Sequence, residues 1–328
     1  MGVTTKDIAQ ICGVSRTTVN RAFTNTGRIN KETKDKILKV AEDLEYRPDM
    51  LATGLKNGKT QYLGVVVFDV RNRYFAQMLN AIEIEAKARN YFVNITLHEK
   101  DKEQERDMIQ RLVDYRVEGL ILSPVSKGND FGTFLRKMEK PIVIIGNRVD
   151  KEIPFVGIDE KKAASDAVQT IVRKGYQKIV FICPPLADVE NENVYSHEQR
   201  EEGFLQEVQK HKTVQYEAIK SWNYLSEVVK ILTSSSEKTA FFCSGDIFAL
   251  DIMKHLKQLN KRAGQDYGIM GFDNIDTLDY VIPRLATIDN VVEKVATKAV
   301  DILFDLLEGK EVANKTLVDY VEIEGETL

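Results

Sequence analysis

The feature that constrains this chain most is a pair of short helices predicted within residues 7–23. Ile8, Ala9 and Cys12 have the spacing of one helical face. Gly13 then interrupts the pattern, because only glycine adopts positive φ without steric cost. A tight turn and a second helix are therefore expected directly after it.

The second helix carries a polar and basic outer face. Ser15 can cap its start, and Val19, Ala22 and Phe23 face inward. The outward residues are Arg16, Thr17, Asn20 and Arg21. Two short helices joined by a glycine turn, with such a face on the second, indicate a DNA-binding helix-turn-helix.

A third helix is predicted over residues 31–45, with Asn30 as its cap. Its apolar residues recur at i, i+3, i+4 and i+7, which closes a three-helix core. Pro48 ends it, residues 49–55 can form one or two further turns, and residues 57–60 read as a linker.

Residues 3–60 resemble the headpiece of the lactose-repressor (LacI/GalR) family of bacterial transcription regulators. The shared motifs are T-x-x-D-I-A, GVS-x-x-TV-x-R and Y-x-P-x-x-x-A-x-x-L. The resemblance implies base-edge contacts by Arg16 and Thr17, and a Leu55 side chain wedged into the minor groove. Thr24 and Asp49 depart from it, since asparagine is usual at both positions. The residues predicted to contact DNA are Thr5, Ser15, Arg16, Thr17, Thr18, Asn20, Arg21, Arg28, Asn30, Ala52 and Leu55.

Charge is distributed unevenly along the 328 residues. Residues 1–60 hold eleven Lys and Arg against seven Asp and Glu, whereas the remainder holds 35 against 43. A basic head on an acidic body suits a head that meets phosphates, although a solvated surface could also produce this difference.

Cys12, Cys183 and Cys243 lie in apolar stretches and read as buried thiols. With no signal peptide or membrane-spanning run in view, a cytoplasmic protein is expected.

From residue 62 the pattern changes to alternating buried strands and amphipathic helices, and it restarts near residue 161. Strands are predicted at 62–68, 92–97, 119–124 and 141–146, then at 178–183, 215–219, 239–244 and 267–272, with one last strand at 317–323. This indicates two doubly wound parallel-sheet subdomains facing a cleft. The expected boundaries are a headpiece at 1–48, a hinge helix and linker at 49–60, and a core at 61–328. Within the core, one subdomain takes about 61–160 and 289–316, and the other about 161–288 and 317–328.

Polar and aromatic side chains follow these strands. Ligands of open α/β sheets bind outside the carboxyl ends of strands, and amides, carboxylates and guanidinium groups hold hydroxyls there. The residues predicted to bind a ligand are Asp69, Tyr74, Phe75, Ser123, Asn147, Ser196, Arg200, Trp222, Asp246, Asp273 and Asn290.

The resemblance continues through the core, in S-x-x-x-R-x-x-G-F (196–204), CSGD (243–246), GFDN (271–274) and P-x-L-x-T-I (283–288). It implies an α/β core like that of periplasmic binding proteins, with ligand binding by Arg200 and ring stacking by Trp222. Tyr74 and Phe75 resemble the aromatic pair of the purine-sensing branch. Gly245 departs, because sugar-responsive members often have asparagine there.

No catalytic, metal or cofactor site is predicted. Residues 54–60 miss the P-loop spacing by one residue and precede a strand, and the four histidines lack metal-ligand spacing. The hypothesis is a homodimeric repressor, without extra heptads for tetramerisation, that binds a pseudo-palindromic operator and a sugar or sugar derivative. A purine-type effector, or control by a protein co-regulator, remains the alternative. A periplasmic sugar carrier and an enzyme of ribose or nucleotide chemistry are weaker ones.

Overall fold

The structure, a computed structural model, describes residues 3–24, 27–47, 59–188 and 192–328. Contacts divide the chain into two units, Met1–Thr60 and Gln61–Leu328. The predicted hinge, with Ala52 and Leu55, lies outside the described residues.

The first unit contains three helices, α1 (Thr5–Cys12), α2 (Arg16–Thr24) and α3 (Lys31–Asp43). They enclose a small core of Ile8, Ala9, Cys12, Val19, Ala22, Ile37 and Ala41. Gly13 ends α1 at φ +69°, which confirms the predicted turn. The Ser15 hydroxyl accepts from Thr18 N–H, and the Asn30 side chain accepts from Glu32 N–H, so both predicted caps are present.

The second unit contains two six-stranded sheets. The first sheet has the order β11-β5-β4-β3-β1-β2 and is parallel throughout. The second has the order β12-β10-β9-β8-β6-β7 and is parallel except for the β10–β12 pair. We call the first sheet with its helices the first half, and the second sheet with its helices the second half.

The strands of the first half are β1 (Tyr62–Val67), β2 (Phe92–Leu97), β3 (Gly119–Leu122), β4 (Ile142–Ile145), β5 (Phe155–Gly157) and β11 (Lys315–Leu317). Those of the second half are β6 (Lys178–Ile182), β7 (Gln215–Ile219), β8 (Thr239–Cys243), β9 (Gly268–Asp273), β10 (Ala286–Asp289) and β12 (Val321–Ile323). The helices are α4 (Arg73–Ala88), α5 (Lys102–Asp114), α6 (Gly128–Arg136), α7 (Glu160–Arg173), α8 (Tyr195–Val208), α9 (Tyr224–Ser234), α10 (Asp246–Gln258) and α11 (Val292–Leu307).

The order of strands corrects the sequence analysis at one point. The single last strand predicted over 317–323 is wrong, because β11 pairs with β5 while β12 pairs with β10 in the other sheet. The chain therefore passes between the sheets three times, after β5, after β10 and after β11. β5 and β10 were not predicted at all.

Apolar side chains are buried on both faces of the sheets, as the near-continuous apolar runs predicted. Helix α11 packs against α4 and the first sheet. Cys12, Cys183 and Cys243 are buried free thiols, which confirms that expectation. No helix of the described residues is long and apolar enough to span a bilayer.

Candidate functional site

A cavity of about 340 Å³ lies in the second unit, at the carboxyl ends of both sheets. In the first half its wall comes from the segments after β1 to β4, and in the second half from those after β6 to β9. A volume of this size suits a small-molecule ligand. The cavity therefore lies at the strand ends, where open α/β sheets bind their ligands.

Aromatic rings form much of the wall. Tyr74 and Phe75 meet edge to face with their ring centroids 5.1 Å apart, and Phe75 contacts Phe68 in the same way at 5.8 Å. Trp222 stands opposite on the second half, with 58% of its surface exposed. Such faces pack against the apolar side of a ring in a ligand.

Arg200 is a buried cation of the cavity, and its Nε and Nη1 groups donate to partners in the chain. Its Nε donates to Glu160 Oε2 at 2.8 Å, and Nη1 donates to the Ser244 carbonyl at 2.5 Å. The guanidinium carbon lies 3.6 Å from the centre of the Phe272 ring. Burial lowers the pKa of Arg200, but the carboxylates of Glu160 and Asp273 outweigh it and raise the pKa overall.

Asp273 ends β9 and points at the same guanidinium, with Oδ1 3.5 Å from Arg200 Nη1. The Asn290 amide also donates to Oδ1, at 3.0 Å. The φ of Asp273, +116°, lies outside the usual regions for a residue with a side chain, so the surrounding contacts hold the residue there. Burial raises the pKa of Asp273 well above its ordinary value, against the opposing effect of Arg200.

A second polar group joins the two halves beside the cavity. The Asn147 amide donates to the Asn193 carbonyl at 2.6 Å, and the Ser196 hydroxyl donates to the Gly146 carbonyl at 3.0 Å. The Asn193 amide in turn donates to the carbonyls of Ser126 and Arg148. These bonds tie the segment before α8, in the second half, to the loops of the first half.

Most of the predicted ligand-binding residues line the cavity. They are Tyr74, Phe75, Ser123, Asn147, Ser196, Arg200, Trp222 and Asp273. Ser196 and Asn147 are largely engaged with each other and with backbone carbonyls, so their polar groups serve the contact between halves. Contact of any of these residues with an effector stays a prediction.

Three of the predicted residues are not on the cavity wall. Asp69 accepts from the N–H groups of Arg71 and Asn72, and it therefore shapes the turn after β1. Asp246 is fully buried and accepts from Ile275 N–H and the Thr287 hydroxyl. Asn290 reaches the cavity only through its bond to Asp273.

Several residues of the cavity wall were not predicted from the sequence. His98 and Lys100 follow β2 directly, so the strand-end rule applied to every strand would have found them. Glu192 and Asn193 precede α8 and belong to no quoted motif, and His197 is at an unspecified position of the motif at 196–204. Glu160 pairs with Arg200 from a different helix, a contact that only the fold creates.

In the first unit, the outer face of α2 is accessible. Arg16, Thr17 and Arg21 are exposed, while Thr18 and Asn20 are half-buried. Of the other described residues predicted to contact DNA, Ser15, Arg28 and Asn30 are exposed and Thr5 is half-buried. A basic, exposed helix face behind a glycine turn has the form of a recognition helix.

These features define a class of protein that combines a helix-turn-helix domain with a ligand-binding α/β core. Residues 4–49 match the family of bacterial regulatory proteins, lacI family, and residues 168–327 match the periplasmic binding protein-like domain. The chain is 29% identical to the probable HTH-type transcriptional repressor ExuR of Bacillus subtilis, over 98% of this chain and 96% of that protein.

Two solved structures share the fold. One is the Lac repressor dimer bound to operator and the anti-inducer ONPF, with a TM-score of 0.88, 22% identity, and coverage of 100% of this chain and 99% of that one. The other is a periplasmic binding protein/LacI transcriptional regulator from Alkaliphilus metalliredigens complexed with D-xylulofuranose. It has a TM-score of 0.70, 24% identity, and coverage of 81% and 98%. The N-terminal domain thus matches the lacI family of bacterial regulatory proteins, and the chain is similar to such regulators over nearly its whole length.

Proposed function

We propose that this chain is a repressor that binds operator DNA through residues 1–60 and a small effector in the core cavity. The observation that carries the proposal is the cavity itself, which is bounded by both halves of the core. A ligand that binds one relative arrangement of the halves more tightly than another shifts the population toward that arrangement. It can change DNA affinity by no more than the difference between its affinities for the two arrangements.

The DNA contact is assigned to the outer face of α2. Arg16 and Thr17 stand at its start, where the recognition helix of this class meets base edges, and Arg21 suits a base or a phosphate. The Leu55 wedge rests on the family resemblance alone.

A sugar or sugar derivative is the proposed effector. Its hydroxyls would hydrogen-bond to the Ser123 and Tyr74 hydroxyls and to the Asp273 side chain, and its apolar face would pack on the aromatic rings. The relative complexed with D-xylulofuranose supports this class. A purine is the second candidate, because the adjacent Tyr74 and Phe75 rings both line the cavity.

The proposed assembly is a homodimer on a pseudo-palindromic site. Tyr280 and Ile282 are 88% and 90% exposed in the second half, and Phe92 and Ile95 are exposed on the edge strand β2. Exposed apolar side chains that lie together are typical of interaction surfaces, and these residues are the ones we propose for the dimer contact. The Lac repressor of matching fold was solved as a dimer on operator.

The test is operator binding by the full chain, followed in the presence of a panel of sugars, sugar phosphates, sugar acids, purines and nucleosides. Affinity for the operator should fall steeply with salt, since each phosphate contact releases counterions. Arg16→Ala should weaken binding, whereas Arg111→Ala, on α5 of the core, should not.

An effector from the panel should both shift the melting temperature and change operator affinity. A ligand at 100 times its dissociation constant stabilises by about 2.7 kcal/mol, which a melting experiment detects readily. Operator binding that no small molecule affects, but that a protein fraction from an extract raises, would replace the small effector by a protein co-regulator.

A further inference from the structure

The described residues of the cavity wall include two cations, Lys100 and Arg200, and each is paired with a carboxylate of the chain. Arg200 is held between Glu160 at 2.8 Å and Asp273 at 3.5 Å, and all three side chains are largely buried. An anionic ligand that approached Arg200 would have to displace one of these carboxylates or accept their repulsion.

The second cation is Lys100, which crosses from the first half to the second. Its ammonium lies 3.2 Å from Glu192 Oε2, and it stands 5.4 Å from the centre of the Phe68 ring and 5.2 Å from that of Trp222. Glu192 belongs to the second half, in the segment that precedes α8. The two rings and the carboxylate therefore enclose the ammonium from both sides of the cleft.

The backbone fixes where Lys100 stands. Glu99 and Lys100 have φ values of +48° and +69°, a left-handed pair that turns the chain sharply after β2. The Lys100 N–H donates to His98 Nδ1 at 3.2 Å, and His98 Nε2 lies 3.0 Å from the Ser123 carbonyl. Since Nδ1 accepts, Nε2 carries the proton and donates to that carbonyl, so His98 is neutral.

The other polar side chains on the wall, as far as the structure describes it, add no positive charge. Burial, together with Arg200 and Lys100, lowers the pKa of His197 to about 3, so this imidazole is neutral at physiological pH. The start of α10 faces the cavity as well, and a helix start favours negative charge. The chain's own Asp273 lies there: its Oδ2 is 3.5 Å from the position that a Cβ on Gly245 would take.

We propose that the cavity selects an uncharged ligand, and that Glu192 is the residue that sets this preference by neutralising Lys100. The ligand class is a neutral polyhydroxy compound or nucleoside, and the acid and phosphate forms of the same compounds are rejected. The inference rests on the proposed function, because it requires that an effector binds in this cavity.

The test compares matched pairs on the full-length wild-type protein by melting temperature and isothermal titration calorimetry. The pairs are glucose with glucuronate and glucose 6-phosphate, galactose with galacturonate, ribose with ribose 5-phosphate, and adenosine or cytidine with their monophosphates. At least one neutral compound should bind, and its charged counterpart should bind about tenfold more weakly or not at all.

Glu192→Gln keeps a hydrogen-bond acceptor beside Lys100 and removes the negative charge. This variant should gain about tenfold or more in affinity for the acid or phosphate form of the wild-type ligand, while affinity for the neutral form changes little. Glu202→Gln is the matched control. It removes the same charge from α8, where Glu202 pairs with Lys161 away from the cavity, and should leave both affinities unchanged.

The outcomes separate the two proposals. A wild-type protein that binds a sugar acid or phosphate more tightly than the neutral parent would overturn the preference while upholding an effector site. A Glu192→Gln variant that binds the neutral form normally but gains nothing for the charged form would remove Glu192 from the role. If no compound binds and none changes operator affinity, the effector proposal fails and this inference falls with it.

Discussion

Arg200 shows that a residue on a ligand cavity can also hold the fold together. Its guanidinium is the direct partner of the buried Glu160 carboxylate and of a backbone carbonyl. A substitution here therefore changes stability as well as binding. Loss of ligand binding in an Arg200 variant is informative only beside a measured free energy of unfolding.

Arg200→Met should lower the free energy of unfolding by about 3–5 kcal/mol, because it leaves buried Glu160 without its counter-charge. The double variant Arg200→Met with Glu160→Gln should recover part of that loss, since the unpaired charge is then gone. Urea denaturation of the two variants and the wild type measures both effects. Equal destabilisation in the single and double variants would contradict the role given to Glu160.

Asp246 gives the protein a pH-dependent stability. Burial raises its pKa from 3.8 to about 7, and hydrogen bonds from Thr287 and Ile275 only partly offset this. The folded state therefore holds a proton that the unfolded state has already released at intermediate pH. The stabilisation is complete below about pH 4 and is lost as the pH rises through about 7.

Asp246→Asn should accordingly flatten the decline in stability between about pH 4 and about pH 7. Above that range, the variant should have lost less of its low-pH free energy of unfolding than the wild type has. Urea denaturation across this range measures the slope. Asp107→Asn, at an exposed ion pair on α5, should leave the slope unchanged. A slope in Asp246→Asn that matches the wild type would assign the pH dependence to other groups.

The residues of the site were predictable where a simple rule applied to them. Ser123 and Asp273 lie at strand ends, and both line the cavity as that rule predicts. Asp246 also follows a strand, yet its side chain turns inward and accepts from the Thr287 hydroxyl on β10. This partner could not be predicted, because β10 itself was not predicted. Glu192 and Lys100 meet across the cleft from distant parts of the chain, and no local pattern encodes such a pair.

At the scale of elements, the close contact of α7 and α8 explains a glycine in one of the motifs. A Cβ on Gly203 of α8 would stand 2.1 Å from the Lys161 carbonyl oxygen of α7, so the helices could not keep their separation. Since the obstacle is backbone and not a flexible side chain, it cannot move aside without shifting a helix.

Gly203→Ala should therefore lower the free energy of unfolding by about 1–3 kcal/mol through overpacking, despite the better helix propensity of alanine. Thermal and urea denaturation give the value. Gly245→Ala is the comparison, because its added Cβ would meet neighbours only at 3.5 Å or beyond, which is ordinary contact. A Gly203→Ala protein as stable as the wild type would mean that α7 and α8 have room to separate.

The elements themselves were predictable in proportion to their length and regularity. The long amphipathic helices show a clear period, and the buried strands β1 and β8 are near-continuous apolar runs. β5 and β11 have three residues each, and so few positions carry no period at all. They exist because neighbouring strands offer them hydrogen bonds, which is a property of the assembled sheet.

At the scale of the whole molecule, the division at Thr60 and Gln61 predicts separable functions. A fragment of residues 61–328 should keep effector binding with the wild-type affinity and should lose operator binding. Calorimetry with the effector and fluorescence anisotropy with labelled operator measure the two. Operator binding by the fragment would contradict the assignment of DNA contact to the first unit.

The three passages of the chain between the sheets bear on how the core can form during synthesis. Each sheet takes its last strand from residues 315–323, whereas the first strand of the core begins at Tyr62. At ribosomal elongation rates, roughly 10–50 s separate the emergence of these ends, so the core must persist for that time with open sheet edges. Until β11 and β12 have been synthesised, chaperones or the chain's own helices must cover these edges. Both sheets are then completed at almost the same time.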